Sequence, residues 1–180
     1  LLLAFTFKMD IMSFLLDVRI AHIIGVVLQW GFLMAFLYSL VSSINSHFKA
    51  LVILSSIMAI SYFPGVLFNY QTITYLDLAI LDAITIVVLI IAQYFYIKEK
   101  TVAFMYLMLG LSINMCFALG MYLDSYILHN YTYWWFWGLY SSVVAISDLS
   151  MILVLFINRD FLKIIYLKNL IYSFFAKKPQ

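Results

Sequence analysis

Two aspartates stand inside apolar stretches that are long enough to cross a bilayer. Asp82 lies within residues 75–97, YLDLAILDAITIVVLIIAQYFYI, and Asp148 lies within residues 134–157. A carboxylate at such a depth is costly unless it is paired, hydrated or protonated. Each aspartate is therefore a candidate for handling protons or cations, or for bracing neighbouring helices.

Other polar residues fall on the same helix faces. At about 100° per residue, Asp82 shares a face with Thr85 and Gln93, and Asp148 shares one with Ser141. In the first apolar stretch, His22 and Gln29 line up with Arg19 beside them. A polar seam through a bundle of these helices would draw on the following residues: Arg19, His22, Gln29, Asp82, Gln93, Asn114, Ser141 and Asp148.

The seam has two interpretations. As a path or binding site, two carboxylates, an imidazole and amides could relay protons or pass a cation. As structural braces, Asp82 and Asp148 would be protonated or hydrogen-bonded to Arg19, His22, Asn114 or serines of adjacent helices. Such bonds contribute only about 0.6 to 2 kcal/mol, yet they fix helix register.

Composition places the chain in a membrane. Its 180 residues are 67% hydrophobic and only 10% charged, with a mean hydropathy of +1.08. A soluble domain carries about 25% charged residues, so this class is excluded. The net charge of +2 comes from scattered lysines, and no dense basic patch indicates a nucleic-acid partner.

The hydropathy pattern predicts an all-α, polytopic transmembrane bundle of about five spans, since each span needs about 20 apolar residues. Charged residues interrupt residues 1–19, which we interpret as an interfacial segment or a partial sixth span. Residues 158–180 are basic and partly apolar, which favours an interfacial tail. The predicted spans cover residues 20–41, 48–68, 75–97, 102–123 and 134–157.

Lysine and arginine positions predict the orientation. The segments between spans at 69–74 and 124–133 contain neither residue. The positive-inside rule then places the opposite loops and the C-terminus in the cytoplasm. We expect a bacterial inner membrane rather than the endoplasmic reticulum. A glycosylation sequon at Asn130 lies in a predicted outer loop but abuts the membrane, and it has no meaning in a bacterium. The basic residues that set this orientation are Lys49, Lys98, Lys100, Arg159, Lys163, Lys168, Lys177 and Lys178.

Small residues recur every four positions on three helix faces, and such spacing lets helix backbones approach closely. These faces predict packing inside the bundle or against another membrane chain, either a copy of this one or a different protein. The residues are Gly31, Ala35 and Ser39 on the first span, and Gly110, Asn114 and Ala118 with Ser112, Cys116 and Gly120 on the fourth.

Motifs for enzymes and cofactors are missing from the sequence. The three histidines are far apart, and the single cysteine allows neither a disulfide within the chain nor a cysteine metal cluster, so we expect no metal or haem. A membrane enzyme acting on lipid or quinone would need acid or base chemistry at Asp77, Asp124, Asp148 or His129, and isolated acids near an interface support that weakly.

The leading hypothesis from these patterns is a non-enzymatic integral membrane subunit, which packs with copies of itself or with other membrane proteins. The alternative is a small channel or transporter for protons, cations or a small solute. The bilayer is its surroundings under either hypothesis.

Overall fold

A computed structural model describes residues 18–44, 49–63, 74–97, 101–132 and 134–159, and within these ranges the chain is helical with short connecting segments. The prediction of a helical membrane bundle of about five spans is confirmed. The helices are α1 (Val18–Ser42), α2 (Ala50–Tyr62), α3 (Tyr75–Ala92), α4 (Val102–Tyr122) and α5 (Trp135–Ile157).

Some predictions fall outside the described residues. They concern the segment before residue 18, a partial sixth span within it, and the basic tail from residue 160 onward. The side chain of Arg19 also lies outside the described part of α1.

Helix ends follow from local sequence. Thr74 caps α3 through a capping box, in which its hydroxyl accepts from the Asp77 amide while the Asp77 carboxylate accepts from the Thr74 amide. Thr101 caps α4 by accepting from the amide of Phe104 at 3.2 Å. Asn158 ends α5 in the left-handed region, with a φ of 49°, a conformation that asparagine tolerates better than most residues.

The predicted boundaries differ most at α2 and at the end of α4. Helix α2 ends at Tyr62, and Phe63 forms a turn, whereas the predicted span continued to residue 68. Helices α3 and α4 each continue into a wider π turn, Gln93–Ile97 and Leu123–Ile127 respectively. The apolar helix that begins at Val102 therefore runs to Ile127, four residues beyond its predicted end.

The five helices form a closed ring. Each helix packs against its neighbours in the chain, and α5 closes the ring by packing against α1. Helix α2 also approaches α4 across the ring. Four helices are long and apolar enough to cross a membrane, and α2 is a shorter apolar helix of 13 residues.

The ring has two distinct ends. The aromatic end carries the start of α3 and α5 and the end of α4, with Tyr75, Tyr126 and Trp135. The basic end carries Lys49 at the start of α2 and Arg159 just after α5. Since consecutive helices alternate in direction, a residue's position along its helix gives its depth between these ends.

Apolar side chains cover the outside of the ring. On α3, Ile80, Ile84, Val87 and Ile91 are all exposed to the surroundings of the chain, while Ala79, Thr85, Leu89 and Ala92 are buried. An apolar outer surface of this kind suits contact with lipid. The chain is accordingly an integral membrane protein.

Candidate functional site

Asp148 of α5 joins three helices through one oxygen atom. Its Oδ1 accepts a hydrogen bond from the hydroxyl of Tyr62, at the end of α2, at 2.6 Å. The same oxygen accepts from Nδ2 of Asn114, on α4, at 2.7 Å. Asp148 and Asn114 are each only 4% exposed, so these contacts lie in the interior of the ring.

Asp82 of α3 lies in the neighbourhood of Asp148 and Tyr62. It lies on the buried face of α3, between Ala79 and Thr85, and within electrostatic range of both Asp148 and Tyr62. Asp82 itself is only partly buried. No hydrogen bond reaches its carboxylate from the described part of the chain, whereas Asp148 holds two. The two carboxylates therefore share a neighbourhood but have different surroundings.

Two further tyrosines extend this group toward the aromatic end. Tyr140 of α5 lies within electrostatic range of Asp82 and Asp148. Its ring meets that of Tyr75, the first residue of α3, edge to face with centroids 5.6 Å apart. We call Tyr62, Asp82, Asn114, Tyr140 and Asp148 the central cluster.

The central cluster lies deep in the ring. At 1.5 Å per residue, Tyr62 and Asn114 each lie about 18 Å along their helices from the basic end. Asp82 lies about 10 Å from the first residue of α3 at the aromatic end. The cluster is thus near the middle of a bilayer whose apolar core is about 30 Å thick.

Positive charge is kept away from the central cluster among the residues whose side chains the structure describes. The basic side chains in that set are all exposed, and they are His22, Lys49, His129 and Arg159. Two aspartates without a basic neighbour are expensive in an apolar interior if both are charged. A bound proton or cation would lower that cost.

Asn114 has an unsatisfied acceptor. Its Nδ2 donates to Asp148, but its Oδ1 is buried and has no hydrogen-bond partner among the residues that the structure describes. Buried polar atoms are nearly always paired, so a buried acceptor without a donor calls for an explanation. Because the nitrogen of the same amide contacts Asp148, this oxygen belongs to the central cluster.

The basic side of the central cluster is closed by packed apolar side chains. Leu111 lies one turn from Asn114 on that side and is 0% exposed. We call the following residues the apolar layer, all of them members of one buried core: Leu89, Leu107, Leu111, Met151 and Leu155.

A second buried carboxylate, Asp124, stands in the π turn at the aromatic end. Its Oδ2 accepts from the indole nitrogens of Trp134 at 2.8 Å and Trp137 at 3.1 Å. The side-chain Nδ2 of Asn130 donates to Oδ1 of Asp124 at 3.1 Å, and the backbone N–H of Asn130 donates to the backbone oxygen of Asp124 at the same distance. Asp124 thereby ties the end of α4 to the start of α5.

Of the predicted seam residues, Asn114 and Asp148 are joined by a hydrogen bond, and Asp82 lies within electrostatic range of Asp148. Of the others, His22 is exposed, while Gln29, Gln93 and Ser141 are half-buried. Tyr62 and Tyr140 were not predicted as site residues, because tyrosines near span ends are usually interfacial anchors. Their depth in α2 and α5 was the only available signal.

The small residues mostly serve packing within the ring. A Cβ on Gly31 would meet Ile152, one on Gly110 would meet Met151, and one on Gly120 would meet Phe136. Ala35 and Ala118 are buried, and Ser39 meets Ser55 of α2 with their hydroxyl oxygens 2.6 Å apart. Cys116 is exposed.

The other acid–base candidates, Asp77 and His129, lie outside the central cluster. Asp77 is occupied by the capping box, and His129 is exposed in the segment after α4. Within the residues that the structure describes, no group of three His, Cys, Asp or Glu side chains could hold a metal ion.

Comparison with known proteins gives no assignment. No family model, curated protein or solved structure matches the chain. Function must therefore be argued from the central cluster itself.

Proposed function

We propose that the chain is a small membrane channel or transporter that moves protons or small cations through the central cluster. The observation that carries this proposal is that Asp82, on the buried face of α3, lies within electrostatic range of the buried Asp148 of α5. Ionisable residues at membrane depth commonly mark ion pathways and proton relays.

Hydrogen bonding alone accounts for only one of the two aspartates. Tyr62 and Asn114 brace Asp148 to α2 and α4. Asp82 has no such bonds from the described residues and is partly exposed, so bracing does not account for its place on the buried face of α3. An ion that binds between the two carboxylates accounts for both.

A subunit of a larger assembly is the other candidate, and it rested on the small-residue faces. Gly31, Gly110 and Gly120 each face a side chain within the same chain. Because these glycines pack against side chains inside the ring, they give little support to a partner chain. The pair of carboxylates gives stronger support to ion movement, which we therefore favour.

The test is proton and cation flux into liposomes that contain the purified chain. The proposal predicts flux above that of empty liposomes for the wild type, and loss of that flux in Asp82→Asn. Asp77→Asn is the matched control, since Asp77 is an exposed carboxylate on the same helix. A folded wild type without flux, or an Asp82→Asn variant with full flux, would overturn the proposal.

A further inference from the structure

We infer that the ion bound at the central cluster is a proton, that Asp82 carries it, and that Asp148 is a fixed hydrogen-bond acceptor beside it. This inference rests on the proposed function and assigns its substrate. It follows from differences in hydrogen bonding between the two carboxylates and from the unsatisfied oxygen of Asn114.

Asp148 is held in one position. Two donors from two helices converge on its Oδ1 at 2.6 and 2.7 Å. Both donors stabilise a carboxylate, which can accept hydrogen bonds at both of its oxygens. Asp148 is thus suited to remain a hydrogen-bond acceptor.

Asp82 is suited to change its protonation state. Its carboxylate receives no hydrogen bond from the described residues, and it is more exposed than Asp148. Two neighbouring carboxylates repel each other when both are charged in an apolar interior, and one proton on the pair relieves this repulsion. The less restrained carboxylate is the one that can take up and release that proton.

The buried Oδ1 of Asn114 is an independent sign of a donor in the site. Asn114 is 4% exposed, and no donor from the described ranges reaches its Oδ1. A protonated carboxyl group donates one hydrogen bond, whereas an ionised one only accepts. A protonated Asp82 would add one O–H donor to the central cluster, in which the Asn114 Oδ1 is an acceptor without a donor among the described residues.

A metal cation fits this donor set poorly. Hard cations such as Ca²⁺ bind six to eight oxygens, and Mg²⁺ requires near-octahedral geometry. Here the Tyr62 O–H and the Asn114 N–H already occupy Oδ1 of Asp148. A proton needs only one carboxylate oxygen and one acceptor.

Among the described residues, the titratable groups that face Asp82 come from α2, its neighbour in the ring, and from α5. Tyr62 faces it from α2, and Tyr140 and Asp148 face it from α5. Helix α4 contributes the amide of Asn114. Of the two carboxylates, Asp148 is the one restrained by hydrogen bonds.

Dicyclohexylcarbodiimide is the probe for this inference, since it is an apolar reagent that modifies protonated carboxyl groups. The purified wild-type chain in detergent is treated over a range of pH, in sodium chloride or in choline chloride of equal ionic strength. Mass spectrometry then locates the adduct and measures its yield. No variant has to fold for this measurement.

We expect the adduct on Asp82, with a yield that falls about tenfold for each pH unit above its titration midpoint and does not depend on sodium. Asp77 is the internal control and stays unmodified. Protection by sodium would identify a metal cation as the ligand and overturn the inference. An adduct on Asp148 instead, or no adduct on Asp82 at any pH in folded protein, would overturn it as well.

This experiment separates the inference from the proposed function. Labelling requires no transport, so a proton-dependent adduct on Asp82 without flux would leave the proton site and remove the conduit. Sodium flux, together with protection of Asp82 by sodium, would instead support the conduit and remove the proton site.

Discussion

The hydroxyl of Tyr62 donates to Oδ1 of Asp148 at 2.6 Å, although 86 positions separate these residues in the chain. Tyr62 is the last residue of the short helix α2, and its ring also contacts Phe32 of α1, with centroids 4.2 Å apart. One side chain thus connects α1 and α2 to the buried carboxylate of α5.

Removing this hydroxyl should destabilise the ring. We expect Tyr62→Phe to lower the free energy of unfolding by about 1 kcal/mol, as for other hydrogen bonds between membrane helices. Unfolding in mixed detergent micelles measures the change, and a double-mutant cycle with Asp148→Asn isolates the pair. Ser61→Ala is the control, because the Ser61 hydroxyl bonds to the Met58 carbonyl of its own helix at 3.0 Å. A coupling energy of zero would contradict the contact.

Close packing of α4 on α5 depends on Gly110. A Cβ there would lie 2.6 Å from Sδ of Met151, which is 1% exposed. We expect Gly110→Val to cost about 1 to 3 kcal/mol of stability through overpacking. Thermal unfolding in detergent tests this, with Cys116→Val as the control because Cys116 is exposed on the same helix. Equal stability of the two variants would show that α4 and α5 do not pack as described.

The two indoles around Asp124 should hold the α4–α5 connection without affecting ion movement. In Trp134→Phe or Trp137→Phe, a hydrogen bond to Oδ2 of Asp124 is lost, and backbone amides of Leu123–Ile127 should exchange with solvent several-fold faster. Hydrogen exchange measured by mass spectrometry checks this. Trp135→Phe is the control, since Trp135 is 59% exposed. Unchanged exchange in the first two variants would exclude this role for Asp124.

The apolar layer should limit flux toward the basic end. Leu111→Asn places an amide one turn from Asn114, and we expect proton flux to rise about tenfold, the effect of lowering a barrier by about 1.4 kcal/mol. Leu109→Asn is the matched control, because Leu109 is 45% exposed on the same helix, whereas Leu111 is 0% exposed. If both variants have wild-type flux, the layer is not the barrier.

Sequence periodicity was informative about single helices and silent about pairs of helices. It predicted five apolar helices, and it predicted that Asp82 shares a helix face with Thr85, which is buried. It could not give the rotation and depth of one helix against another. The bond between Tyr62 and Asp148 depends on both, so it was not predicted.

A local departure from the regular α-helix explains why the observed contacts of Trp134 and Trp137 differ from those that sequence spacing indicates. Trp134 and Trp137 share a face with Asp148 by sequence spacing, and aromatic residues at the ends of membrane spans are usually interfacial anchors. In the structure both indoles turn to Asp124, which a π turn presents at the end of α4. The 3.6-residue period contains no information about such turns, so the pairing could not be read from spacing.

The most direct test of the central claim is whether Asp82 and Asp148 act as one site for proton movement. Proton flux into liposomes is measured for the wild type, Asp82→Asn, Asp148→Asn and the double variant, each checked for folding by its helical circular dichroism. If the two residues form one site, each single variant loses about tenfold or more, and the double variant loses no more than either one. Independent losses that multiply in the double variant, or full flux in Asp82→Asn, would contradict a single site.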